Sequence, residues 1–239
     1  MYLFNTTREI LLNFLPKNGT VAEVGTAEGG FAEQILKTTQ PKHLHLIDPW
    51  EFQDVGDHEP DSNNVPQDEA DQRHDSVCAK FQDEIDAGTI TIHRKYSAHA
   101  VESFNVQQFD WVYVDGLHTQ EAVAEDLRCY APKVKHDGFM CGHDYTNHGA
   151  AQHMRFGVIE AVNEFVRETP YTFLALTLES FPTFVLSAEP DSDRCREFMT
   201  YATHALDIAL EVNEFENKNF SQVMAQFSDG KKKLISRIS

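Results

Sequence analysis

Two constellations in this chain carry residue types that do chemistry. The first is Glu23-Val24-Gly25-Thr26-Ala27-Glu28-Gly29-Gly30, followed at some distance by Asp48. An apolar run, Val21 to Val24, enters a glycine-rich turn, and a helical pattern follows from Phe31 to Leu36. A second apolar run, Leu44 to Ile47, ends in Asp48. Strand, glycine turn, helix, strand and acid make the first half of a nucleoside-binding sheet. Glycines let the backbone approach a ligand, and a carboxylate closing the second strand can accept two ribose hydroxyls. The candidate set is Glu23, Gly25, Thr26, Gly29 and Asp48.

The type of nucleoside follows from the turn. A dinucleotide fingerprint needs glycines in a G-x-G-x-x-G pattern. Those positions hold Gly25, Ala27 and Gly30, so the middle glycine is missing. Glu28 in the turn would repel a pyrophosphate. S-adenosylmethionine carries no phosphate, and its sulfonium and amino groups suit an acidic turn. An ordinary tight turn is the plain alternative, and the spacing to Asp48 speaks against it.

The second constellation lies at two further strand ends. The run Phe109 to Val114 leads into Asp115-Gly116-Leu117-His118, and Gly138 to Gly142 leads into His143-Asp144-Tyr145. In a parallel sheet the carboxyl ends of neighbouring strands lie side by side. Asp115, itself a further candidate donor contact, then converges near the methyl donor with His143 and Asp144 as an oxygen-rich set suited to magnesium, with manganese next. A hydroxyl acceptor needs such help, because an alcohol is a poor nucleophile until deprotonated. His118, three residues after Asp115, is a candidate general base, and His143 is a candidate base or ligand. Backbone-bonded loop imidazoles are the alternative for each histidine.

These residues need elements to hold them. Residues 6 to 15 read as an amphipathic helix with Thr6 and Glu9 in capping-box spacing. Residues 51 to 72 are polar and read as an active-site lid. Helices are expected over Asp71 to Ala87, Ser97 to Phe104, Thr119 to Tyr130 and Val158 to Arg167, and a strand over Thr89 to His93. Tyr171 to Leu178 and Phe181 to Ser187 are strands joined by a short link, which demands an antiparallel pair. After Pro190 the pattern reads as helical from Asp193 to about Glu216, and again from Phe220 to Phe227.

Composition bounds the alternatives. The 239 residues suffice for one α/β domain with an appendage. Against 20 basic residues stand 38 acidic ones, a net charge of −18, which disfavours nucleic acid and anionic membranes and points to a small-molecule partner. The four cysteines are widely spaced with no C-x-x-C pair, which suits a reducing, cytoplasmic setting. Met1 to Pro16 lacks the pattern of a signal peptide, and no apolar run approaches the roughly 20 residues of a membrane span.

Together, Glu23 to Gly30, Ile47-Asp48-Pro49-Trp50, Tyr113 to His118 and Gly142 to Tyr145 resemble the class I methyltransferases grouped with the macrocin and cephalosporin-hydroxylase-like O-methyltransferases, of the family 24 type. Glu121 to Tyr130, Pro132 to Gly138 and Gly157 to Val162 fit the same pattern, and the likeness covers roughly residues 15 to 187. It implies a Rossmann-like, seven-stranded, mostly parallel sheet with an antiparallel last strand and helices on both faces, here followed by a C-terminal helical extension. The methyltransferase domain would span 1–190 and the extension 191–239, whose helices offer a homodimer contact. The resemblance implies magnesium at Asp115, His143 and Asp144, although the first position of the usual Asp-Asp or Asp-Asn pair holds His143. Where catechol-type enzymes place a lysine base this chain has His118, and Ser97 matches the adenine contact.

The expected activity is S-adenosylmethionine-dependent O-methylation of a small molecule such as a sugar or phenol, with a divalent metal assisting. A non-catalytic binder of the donor or its product is the alternative from another class. A nicotinamide-dependent oxidoreductase is disfavoured by Ala27, Glu28 and the terminal hairpin.

Overall fold

The computed structural model describes residues 1–53 and 64–239. A short apolar strand, Tyr2–Phe4 (β1), precedes a one-turn helix, Arg8–Leu11 (α1). The nucleoside-binding unit follows as Thr20–Val24 (β2), Gly30–Thr39 (α2) and His43–Asp48 (β3). Gln67–Lys80 (α3) and Gln82–Asp86 (α4) lead to Ile90–Arg94 (β4) and Ser97–Ala100 (α5). Phe109–Val114 (β5), Gln120–Tyr130 (α6) and Val134–Gly142 (β6) form the second strand–helix–strand unit. Gly149–His153 (α7) and Val158–Glu168 (α8) precede Thr172–Thr177 (β7) and Phe184–Ser187 (β8). The chain closes with Asp193–Ala205 (α9), Ala209–Glu211 (β9), Phe220–Gln226 (β10) and Lys232–Ile238 (β11).

The central sheet has the order β4-β3-β2-β5-β6-β8-β7-β1-β9, and β10 and β11 form a separate antiparallel pair. Pairing from β4 across to β6 is parallel, whereas β8 lies antiparallel between β6 and β7. Helices cover both faces, so β5 in the middle is buried along its whole length and reads as unbroken Phe-Asp-Trp-Val-Tyr-Val. One core holds Val123, Leu127, Val162 and Phe165 from α6 and α8 against Val112 and Met140. The other holds Phe31, Ile35, Val77 and Phe198 from α2, α3 and α9 against Leu46 and Trp111. Each such side chain contributes about 1.5–3 kcal/mol of apolar burial.

Several expectations are corrected. The sheet has nine strands rather than seven, because β1 pairs in parallel with β7 and antiparallel with β9. The N-terminal helix is shorter than 6–15. It starts after Thr7 rather than at a Thr6–Glu9 capping box, because β1 pins the preceding residues. Helix α3 begins at Gln67, inside the stretch assigned to a lid, and the part of that assignment at 54–63 lies outside the described residues. The C-terminal helical extension is α-helical only to Ala205, with a single 3₁₀ turn at Phe215–Asn217 after it. Beyond it, alternation in Phe220–Gln226 and Lys232–Ile238 flanks Asp229-Gly230, a hairpin signal, and Gly230 takes the left-handed conformation that the turn requires. A dimer contact made by helices there has only α9 to draw on. Phe215 and Phe220 enter the main core.

An imidazole cluster spans β3 and β4. His45 Nδ1 lies 3.0 Å from His93 Nε2, and the His43 and His45 rings stack at 4.3 Å. Burial, then the His43 and His93 charges, push His45 down to about 3. The unfolded chain, with an ordinary histidine near 6.5, binds the proton that the folded chain refuses. Stability from His45 is therefore full above pH 6.5 and falls as pH drops toward 3. Buried Asp126 and Glu23, pushed upward, act in the opposite direction, so a difference measurement isolates His45. Between pH 7.5 and 5, His45→Gln is expected to gain about 1–2 kcal/mol relative to wild type in urea unfolding. Parallel pH profiles for the two proteins would remove the cluster from the acid response.

Candidate active site

Two strand ends cross at the centre of the site. Gly25 donates its N–H to Ile47 O at 2.8 Å, and Asp115 N–H donates to Val24 O at 2.7 Å. A Cβ on Gly25 would stand 2.0 Å from the Asp115 carbonyl oxygen, and its φ is +90°. Only glycine fits on both counts. Ala27, at the missing middle glycine, also lies at positive φ, +48°.

Asp48 is gripped by that turn. Its Oδ2 accepts from Ala27 N at 2.9 Å and its Oδ1 from Trp50 N at 2.8 Å. Trp50 Nε1 closes the loop by donating to Ala27 O at 2.8 Å. Each carboxylate oxygen keeps a further lone pair for a hydroxyl. Burial raises the Asp48 carboxyl, and the backbone donors pull against it.

A cavity of about 530 Å³ opens here. Its wall includes Gly25, Asp48, Ser97 and Asp115, four of the seven residues assigned to the donor site, together with His118. Glu23, Thr26 and Gly29 are not in that wall. Glu23 is 1% exposed behind it. Burial and the neighbouring Asp115 charge push it well above the ordinary range. The Thr26 hydroxyl is likewise buried, as a neighbour of the Glu23 carboxyl. Gly29 caps α2 in the left-handed region against Phe81. The Glu28 carboxylate faces solvent, 3.7 Å from Arg73, rather than the ligand, so it does not select against phosphate as the sequence suggested.

At one end of the cavity the second constellation assembles. His118 Nε2 lies 2.8 Å from Asp144 Oδ2 and 3.6 Å from Asp115 Oδ1. His143 Nδ1 lies 3.4 Å from Asp144 Oδ2 and 3.6 Å from Asp115 Oδ1. Burial opposes a charge on His143, but Asp115 and Asp144 outweigh it and lift it to about 9. Both carboxyls are depressed despite burial, by His118 and His143. At neutral pH His143 is thus a cation held between two carboxylates. His118, stacked on Phe156 at 4.4 Å, faces the cavity. Asp144 takes φ +61°, a strained conformation for a non-glycine residue and one that clusters at functional sites.

The sequence missed Arg8. Its Nη1 donates to Asp115 Oδ2 at 2.7 Å, and its guanidinium sits 4.4 Å over the Phe31 ring. Burial works against its charge, and Tyr113 and Asp115 more than offset this. No local pattern announces it, because β1 and the first turn of α1 carry it to the site. The C-terminal hairpin was missed too. Buried Gln222 accepts from Thr146 Oγ1, donates to Glu179 O at 3.0 Å, and takes Asn147 Oδ1 on its backbone N–H at 3.0 Å. It braces the loop that follows His143 and Asp144.

The residues present fit a divalent cation. Among the described residues the grouping differs from the expected Asp115, His143 and Asp144: it is Asp115, His118 and Asp144 that each offer a ligand atom within 4.8 Å of the others, while His143 is held as a cation. With Arg8 on Asp115 Oδ2, Oδ1 is the oxygen left to face the cluster. Replacing an expected oxygen ligand by imidazole shifts the preference from magnesium toward manganese, iron or zinc.

The family model described as Methyltransferase domain, of methyltransferase family 24, matches residues 22–145, more than half of the chain. The chain belongs to this family. It carries a class I S-adenosylmethionine-dependent methyltransferase domain. The N-methyltransferase NodS from Bradyrhizobium japonicum WM9 is 12% identical with a TM-score of 0.53, covering 75% of this chain and 93% of its own. An O-methyltransferase family protein from Burkholderia thailandensis is 12% identical with a TM-score of 0.51, covering 74% of this chain and 52% of its own. Spermidine synthase from Thermotoga maritima is 15% identical with a TM-score of 0.50 over 85% of this chain, which spans 64% of that longer protein. At these identities the likeness is one of fold. No curated protein matches the chain. Among the described residues no helix is long and apolar enough to cross a membrane.

Proposed function

We propose that this methyltransferase moves the methyl group of S-adenosylmethionine to a hydroxyl of a small molecule. The observation that carries the reading is the placement of His118, with Asp144 behind it, at one end of the cavity that Asp48 lines. Asp48 accepts the two ribose hydroxyls. His118 takes the acceptor's hydroxyl proton, and the adjacent Asp144 stabilises the imidazolium that forms. The oxygen–methyl bond forms as the sulfur–methyl bond breaks, and the electron pair left on sulfur neutralises the sulfonium to give S-adenosylhomocysteine. Positioning in line supplies much of the rate. A divalent cation held by Asp115 and Asp144 would lower the hydroxyl's pKa. The surface charge of −18 supports a small acceptor over nucleic acid.

A binder without turnover is the second reading. It is favoured by Arg8 and His143, which already neutralise Asp115 and Asp144 without a metal. Calorimetric titration of S-adenosylhomocysteine, with magnesium or manganese and then with EDTA, tests the shared premise. Binding in both conditions is expected, because Asp48 and the cavity need no metal. Absence of binding by folded protein in both would overturn both readings. Methyl transfer to any of a panel of sugars and phenols then separates enzyme from binder.

A further inference from the structure

Asp126 is a buried acid that the methyl-transfer step does not use. It sits on the inner stripe of α6 with Val123, Leu127 and Tyr130, where an apolar side chain would be expected. It is 5% exposed, yet it lines the cavity beside Ser97 and Gly116. Gly116 lies directly against it: a Cβ there would stand 3.5 Å from Asp126 Oδ2, in ordinary contact. Its hydrogen-bonding neighbour is Ser97, and no cation is among the groups acting on it. Glu121 and Glu125 also line the cavity but are exposed. A solvated carboxylate exchanges a ligand bond for a water bond, whereas a buried one with a single hydroxyl neighbour still bears most of the desolvation cost. A buried acid without a counter-ion is therefore placed for a ligand.

The two ends of the cavity differ in what they can hold. The acids and imidazoles around Asp115 suit the charged amino acid and sulfonium portion. The portion beside Asp126 is walled by Ala98, Leu117 and Ala122, which suits a flat heterocycle. We propose that Asp126 reads the amino-substituted edge of the donor's adenine, one carboxyl oxygen accepting from the exocyclic amino group and the other, protonated, donating to the adjacent ring nitrogen. Burial pushes this carboxyl up to about 7, so a protonated form is well populated at neutral pH. Ser97 positions the carboxyl. The proposal rests on the methyl-donor reading and adds to it the residue that selects the base.

The test titrates two compounds into the whole protein: S-adenosylhomocysteine, and its analogue bearing unsubstituted purine in place of adenine. Wild type is expected to prefer adenine by about 10- to 100-fold, the range for one two-point base contact. Asp126→Leu and Asp126→Ala should bind adenine that much more weakly and lose the preference. Asp126→Asn, which keeps a donor and an acceptor, should retain it. Circular dichroism identifies which variants fold, and either apolar variant suffices. A wild-type preference persisting in a folded apolar variant would overturn the assignment, as would wild type binding both compounds equally. Failure of wild type to bind either compound would instead remove the donor reading itself.

Discussion

Asp48→Ala is expected to weaken S-adenosylhomocysteine binding by at least about 100-fold, the combined effect of losing two hydrogen bonds to a charged acceptor. The argument is geometric. Asp48 ends β3 beside the carboxyl end of β2, and both its oxygens are aimed by backbone donors, Ala27 N and Trp50 N. Those donors fix the carboxylate in the cavity wall before any ligand arrives, so little ordering remains to be done on binding. The same two bonds tie the Gly25 turn to the Trp50 loop, so the substitution also loosens the turn. Asp48→Asn separates the two effects, since it keeps one acceptor oxygen. Titration calorimetry with thermal melts reads both, and unchanged affinity in Asp48→Ala would sink the ribose assignment.

Asp144→Asn is expected to lower methyl transfer by about 100- to 10,000-fold, the usual worth of positioned acid–base catalysis, while donor affinity moves less than about threefold. Asp144 lies 2.8 Å from His118 and 3.4 Å from His143 but does not line the donor cavity. Its charge stabilises a proton on His118. Asparagine is the informative replacement because φ at this position is +61°, which asparagine tolerates. Alanine would add about 1–2 kcal/mol of backbone strain to the chemical effect. Rates are compared on an acceptor found by screening hydroxylated compounds. If donor binding fell in step with turnover, Asp144 would belong to the fold of the loop rather than to the chemistry.

Much of this site was legible along the chain. The strand–turn–helix–strand–acid unit is local, and its acid is held by the nearby Ala27 and Trp50 N–H groups, although the close approach that demands Gly25 comes from Asp115 on a distant strand. Asp115, His118, His143 and Asp144 follow directly from apolar runs, and a parallel sheet must bring such strand ends together. Asp126 was visible in principle, as an acid on the buried stripe of α6. The amphipathic helices α6 and α8 and the antiparallel β7–β8 pair were readable from periodicity and from a short link.

Sequence alone therefore determined the methyltransferase sheet and the placement of Asp48 and of the four strand-end groups, because each depends on a local pattern or on a rule about neighbouring strand ends. Tertiary structure decided the rest. Arg8 reaches Asp115 across 107 positions, Gln222 reaches Thr146 across 76, and β1 finds β7 and β9 at the sheet's far edge. The division of labour between His118, facing the cavity, and His143, held as a cation between two acids, was also a matter of packing. Short strands, single side-chain reaches and the charge state of a buried imidazole depend on distant partners, and no window of sequence contains those partners.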